Sequence, residues 1–488
     1  MNSAKRSTPT LILSRLASAL ASPKPSPRRQ RVAILGSGWA GYALAKKLDP
    51  KKYERILISP RSYFVFTPLL ASTSVGTLEF RSVLEPVRRL GVDRFHQGWA
   101  DDVDFARKRI RVEANTRDEF SGVHGLMTTS TAAAEQAKGH VFDVEYDKLI
   151  LAVGAYSQTF GIEGVREHAH FLRDVTDARK IRLKVLSCFE KAAQPTTPDA
   201  RRRELLHFAV VGGGPTGIEF AAELHDLVHE DLARIYPQLM EFVAITVYDV
   251  APKVLPMFDR ELAGYATELF RRQGIVVKTE HHLQGIRALE DGVLALRVKE
   301  NGDGEVSAGV VVWSTGLMQN PLVGRLLRKE FSLPRQTAGE PSKVVAIKKH
   351  ERTGGIVTDP HLRVQITTPD GDASLPDVFA IGDCSSVSSQ SLPATAQVAS
   401  QQASYLAKRL NKEDPEAAPF KFRNWGTMAY LGSWRAIHQS SADELKGWAA
   451  WVLWRTAYLT KSMSIRNKIM VPVYWAMTWV FGRDISRF

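Results

Sequence analysis

Apolar runs that end in glycine and pass into a helical period occur twice along this chain, and they set its plan. Arg31 to Leu48 reads RVAILGSGWAGYALAKKL: a short buried-type strand, the glycines Gly36, Gly38 and Gly41, then a helix. His207 to Val228, HFAVVGGGPTGIEFAAELHDLV, repeats that order around Gly212, Gly213, Gly214 and Gly217. Its helix is expected to extend to about Leu239. Further runs without polar alternation, as in strands covered on both faces, lie at Arg55–Ser59, Asp147–Val153, Phe242–Asp249, Val310–Gly316 and Pro376–Asp383. Helical periods are expected over Asp177–Ala192 and Ser391–Leu410, the second with Pro393 in its first turn. Ser121–Gly139 reads as an exposed insertion, Pro195–Arg203 as a polar linker and Pro321–His350 as loop. The pattern predicts an α/β chain with two Rossmann-like units. The expected division is 31–205 with 320–412 for the first unit, 206–319 for the second, and 413–488 as a separate C-terminal region.

Strand, glycine turn and helix in that order are what a dinucleotide pyrophosphate needs. Gly212 allows the tight turn, Gly214 the close approach of phosphate, and Gly217 the packing of helix on strand. The free N–H groups of the helix start, with Gly213 and Thr216 beside them, complete an anion cradle. Glu219 stands just inside that helix, where the bound dinucleotide must pass. In the first copy Gly36, Ser37, Gly38 and Gly41 take these places. The acid expected at the end of the next strand to hold ribose hydroxyls is replaced by Ser59, 18 residues after Gly41. The second copy has its acid, Asp249, which favours NADH over NADPH because a carboxylate repels a 2′-phosphate. Gly154 and Gly316 end strands where backbone can approach a ligand, and Gly382–Asp383 ends a strand with an acid suited to sugar or ribityl hydroxyls. The helix start near Thr395 to Gln397 can stabilise negative charge on a reduced ring. PRSYFVFTPLL, Pro60 to Leu70, offers Tyr63, Phe64 and Phe66 as a platform for a flat ring system.

The formal charge is +13, but residues 1–30 and 446–488 each contribute +6, so the body is close to neutral and a nucleic-acid surface is not expected. Residues 1–30, basic and free of acid, have the composition of a mitochondrial transit peptide. The longest apolar run, Ile469 to Phe481, is 13 residues, too short to span a bilayer. The tail holds five of the ten tryptophans among its basic residues. Trp451, Trp454 and Tyr458 share one helical face there, the pattern of an interfacial helix in the headgroup layer; packing on the protein's own core is the other reading. Two cysteines, Cys188 and Cys384, give neither a disulfide scaffold nor a C-x-x-C site. Two dinucleotide units with a late acid therefore suggest a two-dinucleotide-binding flavoprotein whose electrons leave the flavin without a redox cysteine pair.

GSGWAG (Gly36–Gly41), SPRSYFVFTPLL (Ser59–Leu70), LAVGA (Leu151–Ala155), VVGGGPTGIEFAAEL (Val210–Leu224), FAIGD (Phe379–Asp383), PATAQVASQ (Pro393–Gln401), MAYLGSWRA (Met428–Ala436) and WVLWRTAYL (Trp451–Leu459) together resemble the type II, or alternative, NADH:quinone oxidoreductases of mitochondrial type. The resemblance covers the chain from about Arg31 to its end, and Ser in place of the first acid is common in that family. It implies hydride transfer from NADH to non-covalent FAD and two-electron reduction of ubiquinone, without proton pumping. It implies FAD on Gly36, Ser37, Gly38, Gly41, Ser59, Thr67, Pro68, Gly154, Gly382 and Asp383, and NADH on Gly212 to Gly214, Thr216, Gly217, Glu219, Asp249 and Gly316. Glu219 and Gln397 are the implied catalytic residues, with Gln397, Ser400, Tyr430, Trp454 and Tyr458 toward the quinone. Ser400 stands where the family often has histidine. No EF-hand loop occurs and no metal is expected. A homodimer is the family expectation, peripheral to the inner membrane; the basic N-terminal segment, with no second hydrophobic anchor after it, favours the matrix side. A sulfide:quinone oxidoreductase or another NAD(P)H flavoprotein reductase of this fold is the alternative, and a non-catalytic NADH-sensing scaffold a third.

Overall fold

The computed structural model describes residues 28–115, 139–332, 344–414, 418–440, 443–461 and 464–487. Most of the basic N-terminal segment and of the expected insertion lies outside the described residues. From the N-terminus the chain lays down β1 (Gln30–Leu35), α1 (Trp39–Lys47), β2 (Tyr53–Ser59), β3 (Arg94–Asp104), β4 (Arg109–Ala114), β5 (Val141–Glu145) and β6 (Lys148–Leu151). It crosses to a second unit through β7 (Ala155–Ser157) and builds β8 (His170–Phe171), α2 (Val175–Ala192), β9 (His207–Val211), α3 (Pro215–Asp226), β10 (Ala244–Tyr248), β11 (Ile275–Lys278) and β12 (Val310–Trp313). It returns through β13 (Leu317–Gln319), which pairs antiparallel with β7, and adds α4 (Pro321–Leu327), β14 (Glu330–Ser332), β15 (Val344–Ile347), β16 (Arg363–Thr368), β17 (Gly371–Ala380) and α5 (Ala396–Lys412). A three-stranded antiparallel sheet follows, β18 (Thr427–Tyr430), β19 (Ala436–Gln439) and β20 (Glu444–Gly447), and then α6 (Trp448–Lys461) and α7 (Ile465–Phe481).

The first sheet runs β14-β15-β16-β17-β6-β1-β2-β3-β4-β5. Its centre is parallel, from β17 through β6, β1 and β2 to β3, as the unbroken apolar runs require. The second is a five-stranded parallel sheet, β8-β12-β9-β10-β11. Each glycine turn follows a central strand of its sheet, so both cradles open at the carboxyl ends of parallel strands.

Several expectations change. The expected division at residue 206 leaves out β8 and α2, which join the second sheet and its core, with Cys188 Sγ donating to the Gly309 carbonyl at 3.6 Å. The stretch expected as loop from Pro321 contains α4 and two strands. Asn320 caps α4 through a bond from the Leu322 amide to its side chain (3.0 Å), with Pro321 in the first turn. The polar linker holds a short helix, Asp199–Leu205. Thr395, not Pro393, begins α5 by accepting from the Val398 amide. The helix after the second glycine turn continues through a π turn, Leu227–Leu232. Among the described residues, no helix is long and apolar enough to cross a membrane.

The aromatic residues also differ from expectation. Phe64 and Phe66 are buried, Phe64 edge-on to Trp39 and stacked on Tyr42, so they are core and form no open platform. Trp451 and Trp454, expected in the headgroup layer, face inward. The helical period was read correctly, but a period marks a face without saying what covers it.

Candidate functional site: two dinucleotide cradles and a buried carboxylate

In the first cradle the Gly36 amide donates to the Ile58 carbonyl (2.8 Å), tying the turn to the end of β2. Gly36 has φ +103, and a Cβ on Gly41 would fall on the Gly36 carbonyl oxygen, so α1 packs against the turn only with glycine there. Gly38 caps α1 without a side-chain hydrogen bond, leaving the first amides of the helix available, and a Cβ on Gly38 would meet nothing within 4 Å. Gly154 opens onto space in the same way. Ser59 lies at hydrogen-bond distance from Ser37, 2.8 Å between hydroxyls, at the strand end where an acid was expected. Gly382 sits against Ala40 of α1 and Ala399 of α5, and its amide donates to Gln402 Oε1 at 2.7 Å, which brings Asp383 to the same cradle. Burial raises the Asp383 carboxyl above its ordinary range, against the pull of Arg173. Thr67 is exposed and accepts from Trp39 Nε1 (3.0 Å), with Pro68 beside it in a single 3-10 turn. An open glycine turn, an uncapped helix start and a half-buried acid at a strand end fit an adenine dinucleotide.

The second cradle repeats the design. A Cβ on Gly217 would fall on the Gly212 carbonyl oxygen, while one on Gly214 would meet nothing within 4 Å. Pro215 begins α3 and Gly214 caps it without a side chain, so these amides too are available, with Thr216 exposed in the first turn. Asp249 reaches the turn itself: its Oδ2 accepts from the Gly213 amide and its Oδ1 from the Ala251 amide (2.7 Å). Gly316, φ +75, follows β12, and Ser314 Oγ donates to the Val211 carbonyl at 3.0 Å beneath the turn.

Between the second cradle and the C-terminal region lies a buried carboxyl. Glu219, on the second turn of α3, is buried; its Oε1 accepts from the Tyr430 amide of β18 (3.2 Å) and from Trp454 Nε1 of α6 (3.3 Å). Burial pushes its carboxyl up to about 8. Tyr430 and Trp454 rings lie 5.5 Å apart, Trp454 and Tyr458 5.0 Å, and Tyr458 stands 6.1 Å from Phe66, next to Thr67. Burial and the Glu219 charge drive the Tyr458 hydroxyl far above its ordinary range. The structure thus assembles Glu219, Tyr430, Trp454 and Tyr458. Gln397 is held by the loop before β18, accepting from the Trp425 amide (3.1 Å) and donating to the Gly426 carbonyl (3.4 Å). The Ser400 carbonyl accepts from Ser404. Neither shares a hydrogen bond with the Glu219 group among the described residues. Cys188 and Cys384 are buried in separate cores, their thiols pushed up by burial to about 11 and about 12, which removes them as nucleophiles. Among the described residues no cluster of metal-ligating side chains occurs.

Sequence reasoning missed several members. Arg61 pairs with Asp174 at 2.7 Å, and Asp174 also accepts from Tyr63 and from the first amide of α2. Gln402, Ser314 and the polar residues around Glu223 were not singled out. Polar residues inside apolar-periodic helices are the signal that was available.

A family model described as pyridine nucleotide-disulphide oxidoreductase matches residues 30–403. The chain belongs to that family. A second model, the NDH2 C-terminal domain, matches residues 425–484. A probable NADH dehydrogenase of Dictyostelium discoideum is 39% identical over 94% of this chain and 91% of its own length. The internal alternative NAD(P)H-ubiquinone oxidoreductase A1, mitochondrial, of Solanum tuberosum is 36% identical over 95% and 89%. The external alternative NADH-ubiquinone oxidoreductase, mitochondrial, of Yarrowia lipolytica is 33% identical over 94% and 81%. The chain therefore belongs, within the oxidoreductase family, with the alternative NAD(P)H-ubiquinone oxidoreductases. A structure of NDH2 from Plasmodium falciparum in complex with NADH shares the fold, with TM-score 0.79 and 24% identity over 94% of this chain and all of the other. Pyridine nucleotide-disulphide oxidoreductase is a name for the scaffold here, since this member has no cysteine pair to oxidise.

Proposed function

We infer that the chain is a mitochondrial FAD-dependent NADH:ubiquinone oxidoreductase, working without proton pumping. The observation that carries this beyond family membership is Glu219: the helix that begins at the second glycine turn hands its buried carboxyl to the C-terminal region instead of to a disulfide. FAD, when bound, supplies the chemistry by accepting hydride from NADH and passing two electrons to the quinone. The residues proposed to hold it are Gly36, Ser37, Gly38, Gly41, Ser59, Thr67, Pro68, Gly154, Gly382 and Asp383, with ring placement the main service of the protein. Gly212 to Gly214, Thr216, Gly217 and Gly316 are proposed to seat NADH, and Asp249 to take its adenosine ribose. Tyr430, Trp454 and Tyr458 wall the quinone side and exclude water, and Gln397 and Ser400 flank it from α5. Glu219 holds a proton near neutrality at Oε2, since both of its hydrogen bonds fall on Oε1.

For domain organisation we propose the division expected from the sequence, with β8 and α2 transferred to the NADH unit. The surface that meets the inner membrane is proposed on α7, where Ile465, Ile469, Val473, Met477 and Phe481 follow one another every four residues on an exposed face. Matrix-side placement is proposed on the transit-peptide composition of residues 1–30, and a homodimer on family grounds.

The test is a yellow preparation of the purified protein. Anaerobic NADH should bleach its flavin band, and a short-chain ubiquinone should restore it. Absence of bleaching, or bleaching that only a dithiol acceptor reverses, defeats the reading.

A further inference from the structure

The reaction NADH + H⁺ + quinone → NAD⁺ + quinol takes up one proton from water per turnover, and the carboxyl best placed to give it is buried. Glu219 Oε1 accepts two hydrogen bonds while Oε2 has no partner among the described residues, which makes Oε2 the oxygen able to carry a hydrogen. Glu223, one turn along α3 and equally buried, has the opposite surroundings. Ser72 Oγ donates to its Oε1 at 2.5 Å and Thr77 Oγ1 to its Oε2 at 2.9 Å. Arg483 Nε, which can only donate, gives its hydrogen to Thr77 Oγ1 at 3.0 Å, which leaves the threonine hydrogen free to go to Glu223. A hydroxyl donor on each oxygen favours the charged form of Glu223 against the burial that raises it. Arg483 arrives from the segment after α7 and is itself anchored by Asp231 Oδ2 (2.6 Å) and Glu230 Oε2 (2.8 Å) on the π turn.

We propose that Glu219 and Glu223 act as a pair carrying one negative charge, which Ser72, Thr77 and Arg483 hold on Glu223, so that Glu219 stays in the acid form and delivers its proton to the reduced quinone. Glu223, Thr77 and Arg483 are positioning residues in this scheme. It rests on the quinone reading of the Glu219 pocket. As the quinone oxygen accepts its electron pair, the Glu219 Oε2–H bond breaks and an O–H bond forms on the quinone. Glu219 is then a carboxylate beside another carboxylate, and that repulsion drives it to take back a proton from water. Burial raises both carboxyls; on Glu223 the Arg483 charge and two hydroxyls oppose it and Asp226 adds to it, while on Glu219 only the two neutral donors Tyr430 N–H and Trp454 Nε1 oppose it. The other charged or titratable groups facing the pair are Asp226 on α3, Tyr430 on β18, Tyr458 and Arg455 on α6, and Glu230 on the π turn. Of these, Asp226 is already engaged by the Tyr430 hydroxyl at 2.6 Å.

The experiment compares the wild-type holoenzyme with Glu223→Gln and Thr77→Val, reading flavin bleaching by NADH and reoxidation by a short-chain ubiquinone separately across pH 5.5–9. Glu223→Gln removes the neighbouring charge, so the descending limb of the reoxidation profile should move down by about one pH unit, while the bleaching rate is unchanged. Thr77→Val, which loosens the charge from Glu223 but keeps both carboxyls, should move the limb the same way by less. A purely structural role would lower reoxidation equally at every pH; that result, or profiles that superimpose, overturns the proposal. Should Glu223→Gln lose FAD, Thr77→Val decides alone by the same criterion. Wild-type flavin that ubiquinone never reoxidises defeats the functional reading first, and the pair with it.

Discussion

At the scale of single residues, Glu219 is where sequence, burial and chemistry converge. A carboxyl raised to about 8 in the folded state but ordinary when unfolded makes the folded chain bind an extra proton between about pH 4.5 and 8. Stability from this group is therefore lost as pH rises through that window. Glu219→Gln keeps an acceptor for Tyr430 and Trp454 and removes the titration. We expect its Tm to depend less on pH across the window, seen by thermal denaturation, while its ubiquinone reduction falls at least about tenfold with FAD retained. Unchanged turnover removes Glu219 from the chemistry. Asp249 gives a second expectation: NADPH initial rates at least about tenfold below those with NADH, since its carboxylate lies at the turn where the ribose must come. Equal rates overturn that assignment. Both residues were legible as acids in a glycine-turn context. Glu223, four positions from Glu219 in the same helix, was not, because nothing in the sequence says that Ser72, Thr77 and Arg483 meet there.

At the scale of elements, the C-terminal helices divide their labour in a way the tryptophan pattern alone did not reveal. α6 turns Trp454, 3% exposed, onto Glu219, and Arg455 lies over the rings of Trp451 and Trp475 at 4.5 and 4.2 Å. α7 buries Asn467, Val471 and Trp475, with Asn467 Nδ2 donating to the Leu84 carbonyl at 3.0 Å, and leaves Ile465 and Phe481 78% and 82% exposed. Burial of this exposed stripe in lipid follows from its apolar area and the basic residues Arg466 and Lys468 beside it. Ile469→Glu with Phe481→Glu should release the protein from anionic liposomes in a flotation assay while leaving NADH-dependent ferricyanide reduction within about twofold of wild type. Undiminished flotation places the membrane contact elsewhere. Removing residues 446–488 is a poorer test, because it also strips the Trp454 hydrogen bond from Glu219. The period of α6 was readable; its partner was not, since an aromatic stripe next to lipid and one against a protein core have the same spacing.

At the scale of the whole molecule, a mixed sheet with a parallel centre and a fully parallel sheet are joined through the antiparallel pair β7 and β13, and the C-terminal region folds back onto α3 of the second unit. One consequence is that the Glu219 pocket is built from segments more than 200 residues apart, as with Tyr430 and Glu219. The strands, the glycine turns and their acids were determined by the sequence alone, because a buried parallel strand and a tight phosphate turn each demand particular residues at fixed local spacing. Even the replacement of an acid by Ser59 and the lack of a cysteine pair were plain from the residue types. The tertiary structure alone decided that β8 and α2 belong with the second sheet, that Phe64 and Trp451 are core, and that α7 presents the exposed apolar face. It alone brought Ser72, Thr77 and Arg483 together beside Glu223. Those outcomes depend on contacts between distant segments, and local periodicity carries no information about the partner that a face will meet.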